Sequence, residues 1–265
     1  MNSIVCIKIT PDTAQLRADP KTGRPRLEDA PLRISTFDEH ALEEAVRLKE
    51  SCGGRIDALL LAAAAPPAEL ILKILAIGAD AAYTIVDSSA GGADALSTAR
   101  ILAAAATRLE SGGLILCGEG SLDEYNRQVG PRMAEQLEMP VLTHVTRIVL
   151  QDGKVIAERS TDGGTEVLEC APPLVVTVGQ EINQPRFPSV LQILGASNKP
   201  MVTWSPSDLG FPAAVVAQQL AGIETLEDFA PAVARRRIAI PGDDAEQVAA
   251  ELAKRLFEDG LVKIG

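Results

Sequence analysis

Regularly spaced apolar runs constrain this chain more than anything else in it. Residues 4–9, 56–62, 82–86 and 114–117 are rich in Ile, Val, Leu and Ala, and each is followed by a stretch long enough for a helix. Continuous apolar runs, as opposed to alternating ones, belong to strands covered on both faces. Thr36 reads as an N-cap with Glu39 as its capping-box partner, opening a helix from residue 37 to about residue 52 that Gly53-Gly54 stops. Residues 69–77 read as a second helix ending at Gly78. Asp94 caps a third that runs to about residue 109, and residues 128–137 make a fourth, stopped before Pro140. The expected fold class is α/β: a mostly parallel sheet with helices on both faces.

The pattern changes after Pro140. Residues 145–150 and 155–159 flank Gln151-Asp152-Gly153-Lys154, whose Asp-Gly pair predicts an antiparallel hairpin. Residues 167–170 and 174–178 are further strands. An earlier hairpin is expected to turn at Asp19-Pro20-Lys21-Thr22-Gly23. From Asn183 onward, Pro, Ser and Asn suggest a long loop. Residues 211–240 carry weak helical signals and the basic run Arg235-Arg236-Arg237. A last helix starts near Asp244, with Gln247 at the capping-box position and Val248, Leu252, Leu256 and Phe257 as an apolar stripe. The C-terminal segment has too few anchors for a core of its own. The expected organisation is an α/β domain over residues 1–205 and, over 206–265, an arm that packs on another chain.

Composition excludes several functions. With 25 basic and 36 acidic residues the formal charge is −11, the wrong sign for a nucleic-acid binder. The longest apolar stretch, residues 58–68, is too short to span a bilayer. No targeting segment is visible at the start, and a cytoplasmic location is expected. Cys6, Cys52, Cys117 and Cys170 are too scattered for a zinc site or a disulfide framework, and Cys6 and Cys117 lie in apolar runs as buried strand residues. The two histidines, His40 and His144, lack the company of a catalytic constellation. There is no nucleophile elbow, zinc-protease motif or Walker loop. No catalytic residue is assigned.

The positive signal is a set of glycine-rich loops at strand ends. Gly118-Glu119-Gly120 follows a strong strand, but Asp123 stands where a dinucleotide fingerprint needs its third glycine. The segment Asp123-Glu124-Tyr125-Asn126-Arg127-Gln128-Val129-Gly130-Pro131 then enters a helix. Backbone amides of Gln128, Val129 and Gly130 are helix-start donors suited to a phosphate, with Arg127 adding charge. Ala90-Gly91-Gly92-Ala93-Asp94 ends another strand, and Thr10-Pro11-Asp12-Thr13 follows the first. In open α/β sheets such loops converge on one edge, so a nucleotide pocket is expected there.

In order and spacing, these pieces resemble the beta subunit of electron-transfer flavoproteins, in particular its FixA-like, bifurcating-type branch. The matching segments are Lys8 to Thr13, Phe37 to Ala45, Ala76-Ile77-Gly78-Ala79-Asp80, Gly91 to Asp94, Gly118 to Pro131 and Asn183-Gln184-Pro185-Arg186-Phe187. The resemblance implies an adenine-nucleotide alpha-hydrolase-like domain. It also implies a heterodimer with an FAD-holding alpha subunit, and electron relay between an acyl-CoA-type or other flavin dehydrogenase and a downstream acceptor. The implied nucleotide of this subunit is FAD, as in bifurcating members, or a structural AMP. Implied cofactor-binding residues are Ile9, Pro11 and Asp12 after the first strand; Ser35, Thr36, Phe37 and Asp38 at the first helix; and Ala62, Gly91, Gly92 and Asp94 at the next strand ends. The last loop adds Gly118, Glu119, Gly120, Asp123, Asn126, Arg127, Gln128, Val129 and Gly130. Arg186, Phe187, Val190 and Leu191 are implied as the partner-docking residues. Departures from the bifurcating branch include Ala95 in place of Thr and Asp123-Glu124-Tyr125-Asn126 in place of Asp-Gly-Asp-Thr. The competing reading is an ATP- or AMP-binding protein of the universal-stress type, which shares the sheet and the adenine pocket.

Overall fold

A computed structural model describes residues 1–109, 113–211, 226–229 and 237–262. The chain forms two compact units, Met1–Asp228 and Phe229–Gly265. In chain order the first contains β1 (Ser3–Ile7), β2 (Ile9–Pro11), β3 (Leu32–Ile34), α1 (Thr36–Cys52), β4 (Ile56–Ala62), α2 (Ala68–Ile77), β5 (Ala81–Val86), α3 (Ala95–Leu109), β6 (Leu114–Gly118) and α4 (Val129–Gln136). The strands β7 (Val141–Gln151), β8 (Lys154–Thr161), β9 (Gly164–Cys170) and β10 (Leu174–Val178) follow, then α5 (Val190–Ala196) and β11 (Met201–Trp204).

Among the described residues the main sheet has nine strands in the order β11-β5-β4-β1-β6-β10-β7-β8-β9. From β11 to β7 all pairs are parallel; β7–β8 and β8–β9 are antiparallel. The fold class is therefore the α/β one expected. The strand period of two sorts β1, β6 and β10 into two apolar layers. Val5, Ile7, Leu114, Leu116, Leu174 and Val176 pack with α1 and α2 on one face. Ile4, Cys6, Ile115, Cys117 and Val175 pack with α3 and α4 on the other. Each fully buried Ile or Leu contributes about 1.5–3 kcal/mol, so these central strands anchor the unit. The hairpin at Asp152-Gly153 has φ of 51° and 77° at its two turn residues, the left-handed pair a two-residue turn requires. The Asp19 turn also forms, with its carboxylate accepting from the amides of Lys21 and Thr22 beside an Ala18–Pro25 bridge.

Several expectations are corrected. The first strand does not run to residue 9. It stops at Ile7, and β2 leaves the sheet to pair antiparallel with β3, because the Lys8 amide donates to Asp38 Oδ2 at 2.8 Å and not to a neighbouring strand. Thr36 is inside α1; Ser35 is its N-cap and makes no side-chain cap bond. Glu39 has no capping role and instead pairs with Lys73 at 2.6 Å and Arg33 at 3.6 Å. The stretch after Asn183 is not all loop. Ser189 and Gln192 form a reciprocal capping box that starts α5. Met201–Trp204 then adds an unexpected edge strand beside β5.

In the second unit, a helix over Ala245–Glu258, α6, is capped by Asp244 Oδ1 accepting from the Gln247 amide at 2.8 Å. Its apolar stripe is not buried: Leu252 and Phe257 are exposed. The expected basic run and weak helix over 211–240 fall mostly outside the described residues. No helix of the described residues is long and apolar enough to cross a membrane.

Candidate functional site

β4 and β5 succeed β1 on one side of it, and β6 then returns to the other side. The chain direction of winding reverses between β1 and β6, and the carboxyl ends of those two strands flank the crevice where open α/β sheets bind ligands. Asp38, in the first turn of α1, spans this crevice from behind. Its two oxygens accept from the amides of Lys8, just past β1, and Gly118, at the end of β6, at 2.8 and 3.2 Å. The side chain is buried. Burial pushes its carboxyl up to about 7, against the pull of the two amides. Gly118 must be glycine: a Cβ there would lie 2.5 Å from Asp38 Oδ1 and 2.6 Å from Phe37 Cβ. Asp38 thus holds the two strand ends together.

The loop after β6 folds over the mouth of the crevice. Tyr125 stacks on Phe37 with ring centroids 5.2 Å apart. Arg127 lies over the tyrosine ring, 4.3 Å from its centroid, and donates to its hydroxyl at 2.6 Å. Tyr125 and Arg127 both have positive φ, 50° and 58°, a conformation non-glycine residues rarely adopt and one that collects at functional loops. The Tyr125 hydroxyl donates to Glu119, whose other oxygen is 3.0 Å from His144 Nδ1. Lys8 Nζ meets Asp123 at 2.8 Å. Burial raises the Asp123 carboxyl, but Lys8, together with hydrogen bonds from Ser121 and the Glu124 amide, more than offsets it and leaves it below the usual range. Asn126 donates to Glu124 at 3.1 Å.

The structure brings Phe37, Asp38, Gly118, Glu119, Gly120, Asp123 and Arg127 into one cluster. Ala62, Gly91, Gly92 and Asp94 form a second at the same sheet edge, where Asp87 N–H donates to Ala62 O at 3.0 Å and Asp94 caps α3 through the Ser97 amide at 2.8 Å. Ile9 and Pro11 sit on β2, and Asp12 accepts from Ala14 and Gln15. Lys8, His144 and Thr177 gain their place through partners far away in the chain, as with Lys8 and Asp123, 115 residues apart.

Two features fit an anionic, hydroxyl-bearing ligand. Thr10 Oγ1 and Ser35 Oγ are buried beside the crevice without a hydrogen-bond partner, as is Ser97 Oγ at the start of α3; orphaned buried hydroxyls mark a missing water or ligand. No side chain caps α4 at Gln128, whose amide oxygen is taken by Arg132 at 2.8 and 3.0 Å. Among the described residues the Val129 and Gly130 amides have no acceptor, the arrangement that accepts phosphate at helix starts. Gly130 has a second reason to be glycine: a Cβ there would lie 2.4 Å from Thr177 Cγ2 on β10, so α4 packs backbone-close on the sheet. Phe187, Val190 and Leu191 stand apart from this site on and beside α5 and are exposed by 95, 71 and 81%. Arg186 reaches the other way, onto α1.

A family model described as the electron transfer flavoprotein domain matches residues 27–209. The chain is 33% identical over 263 residues to the caffeyl-CoA reductase-Etf complex subunit CarD of Acetobacterium woodii, an alignment taking in 99% of this chain and 100% of that one. It is 38% identical over 200 residues to an electron transfer flavoprotein subunit beta of Thermoanaerobacterium thermosaccharolyticum, over 75% of this chain and 76% of that one. Against the subunit beta of Clostridium acetobutylicum the identity is 35% over 211 residues, 79% and 80% of the two chains.

Proposed function

The chain belongs to the electron transfer flavoprotein family as a beta-type subunit of an electron-transfer complex, and from that premise we propose that the β1/β6 crevice holds an adenine nucleotide, FAD or AMP. The observation that carries this is the pairing of uncapped α4 amides with orphaned buried hydroxyls at the winding reversal. The amides of Val129 and Gly130 would take a phosphate, and Arg127 would add a charge-assisted bond. Thr10 and Ser35 would offer hydroxyls. Asp38 acts through the backbone, holding the two strand ends at a fixed separation. Gly91, Gly92 and Asp94 would border the ligand from the neighbouring strand ends. A bound FAD would supply redox chemistry, and bifurcation would depend on it; a bound AMP would be structural. His40 and His144 are given no part in proton transfer.

The relative named as part of a caffeyl-CoA reductase-Etf complex matches nearly the whole chain. That supports a heterodimer with a flavin-holding alpha-type subunit, and an acyl-CoA-type or other flavin dehydrogenase as its redox partner. Phe187, Val190 and Leu191 would meet this redox partner, since adjoining exposed apolar side chains of this size mark interaction surfaces. The apolar stripe of α6 would pack on the alpha-type subunit. Native mass spectrometry of the complex, followed by denaturing release and chromatography, tests the reading. Two flavins per heterodimer identify FAD here, and one flavin with one AMP identifies AMP. ATP or an empty site would overturn it. Replacing Arg127 with Ala should lower the nucleotide retained through desalting, and full retention would remove Arg127 from the site.

A further inference from the structure

The segment that carries the exposed apolar side chains lies against α2 but buries little of its own apolar surface there. Of α5, only Ala196 is buried; Phe187, Val190, Leu191 and Leu194 all face solvent, the last by 68%. α5 itself lies against α2, and the stretch that leads into it is fixed by a polar clamp onto α1. The Arg186 guanidinium donates to both oxygens of Glu43, at 2.9 and 3.0 Å, and to both oxygens of Glu50, at 2.5 and 3.0 Å. Its own amide also donates to Glu43 at 3.2 Å. Three residues earlier, Asn183 donates to His40 O and to Glu44, each at 3.0 Å.

The Glu43 side chain is only 2% exposed. Burial pushes its carboxyl up, but Arg186 and then Arg47 more than offset this and leave it below the usual range. A planar guanidinium forked onto two carboxylates fixes orientation as well as position, which an ammonium cannot do. Every donor of Arg186 that reaches α1 is thereby committed inside the chain.

We propose that Arg186 is a positioning residue: by forking onto Glu43 and Glu50 it sets the apolar docking face at a fixed orientation relative to the nucleotide crevice. This rests on the reading of the Phe187–Leu194 face as the surface that docks the redox partner. The reference point is α1 itself. Its first turn carries Phe37 and Asp38 at the crevice, and Glu43 lies five residues beyond Asp38, about 7.5 Å at 1.5 Å per residue. One rigid helix of 17 residues therefore ties the crevice to the docking face. The redox partner then meets a surface already aligned to the site, instead of one that must be ordered at each encounter.

Two assays on the purified heterodimer test this, each with Arg186→Gln, Arg186→Lys, Glu50→Gln and Val190→Asp. Glu50 is exposed at 57% of its side chain, so its variant keeps the buried Glu43 pair and a folded protein. The first assay is limited chymotrypsin digestion, which needs no partner. Cleavage after Leu191 and Leu194 should accelerate in Arg186→Gln, less in Arg186→Lys and Glu50→Gln, and not in Val190→Asp. The second is flavin reduction against concentration of an acyl-CoA dehydrogenase charged with its substrate. If the freed segment is docking-competent for a tenth of the time, the apparent KM for the dehydrogenase rises about tenfold, while kcat and nucleotide content hold. Arg186→Lys should recover part of the loss.

Unchanged cleavage in Arg186→Gln would overturn the clamp. Faster cleavage with unchanged KM, while Val190→Asp raises KM, would make Arg186 structural only and overturn the positioning role. Faster cleavage with KM unchanged in both Arg186→Gln and Val190→Asp would leave the clamp standing, remove the docking reading, and with it the positioning role.

Discussion

Replacing Asp38 with Asn tests whether one buried carboxylate holds the crevice together. The parent side chain has two acceptors for two amide donors, Lys8 at 2.8 Å and Gly118 at 3.2 Å. An Asn keeps one acceptor and turns an NH2 group toward the second amide. Near pH 5 the protonated parent keeps acceptor capacity on its hydroxyl oxygen, which the NH2 group lacks, so the buried donor left unpaired in the variant should cost about 1–3 kcal/mol. The pH dependence gives a second, sharper number. Asp38 in the folded protein titrates at about 7, because burial outweighs the two amides, whereas an unfolded Asp titrates near ~3.9. Between these values the folded state keeps a proton that the unfolded state has lost. This stability contribution is fully present below ~4 and is lost as pH rises through about 7. Two of those pH units lie above pH 5, so the parent should lose about 3 kcal/mol from this group between pH 5 and pH 8. The Asn variant has no such loss. The stability gap between parent and variant should therefore narrow, or reverse, by about 3 kcal/mol over that range. Other titrating groups cancel in the difference, apart from the change felt by neighbouring Lys8 and Asp123. Urea unfolding at fixed protein concentration, followed through the single tryptophan, Trp204, measures the gap at each pH. A gap that stays constant from pH 5 to pH 8 would refute the account of Asp38 as a buried carboxyl pushed up by burial.

Gly130→Ala should destabilise by about 1–3 kcal/mol through overpacking, because the new Cβ would lie 2.4 Å from Thr177 Cγ2. Adding Thr177→Ser, which deletes that methyl, should recover part of the loss in the same urea assay; a strictly additive pair would show that the two positions do not meet. Cys6 and Cys117 are buried, and hydrogen bonding to Cys117, then burial, raises the Cys6 thiol. A disulfide reagent should therefore label only Cys52 and Cys170 in the native protein, and fast labelling of a third thiol would contradict the packing of β1 against β6. Val190→Asp alters a side chain exposed by 71% and should shift stability by no more than about 0.5 kcal/mol, so a larger loss would mean that the apolar face of α5 is buried.

The amino-acid sequence by itself determined the parts of this protein whose causes are local. Gly53 and Gly78 end α1 and α2, Asp94 opens α3 and Asp244 opens α6. Asp152-Gly153 makes its two-residue turn, and the apolar runs become buried parallel strands. The Ser189–Gln192 capping box was just as local, and it was obscured only by the Pro, Ser and Asn around it. The ordered motifs also carried the family. Tertiary structure alone decided that β6 crosses to the far side of β1, which makes the crevice. It assigned Asp38 to the Lys8 and Gly118 amides, which lie 30 and 80 residues away. It also turned Arg186 inward onto Glu43, 143 residues distant, while leaving its neighbour Phe187 in solvent. Caps, turns and periodicities act over a few residues and are written where they act. Strand order and the partners of a buried charge are set by which distant surfaces exclude water together, and no window of neighbouring residues contains that information.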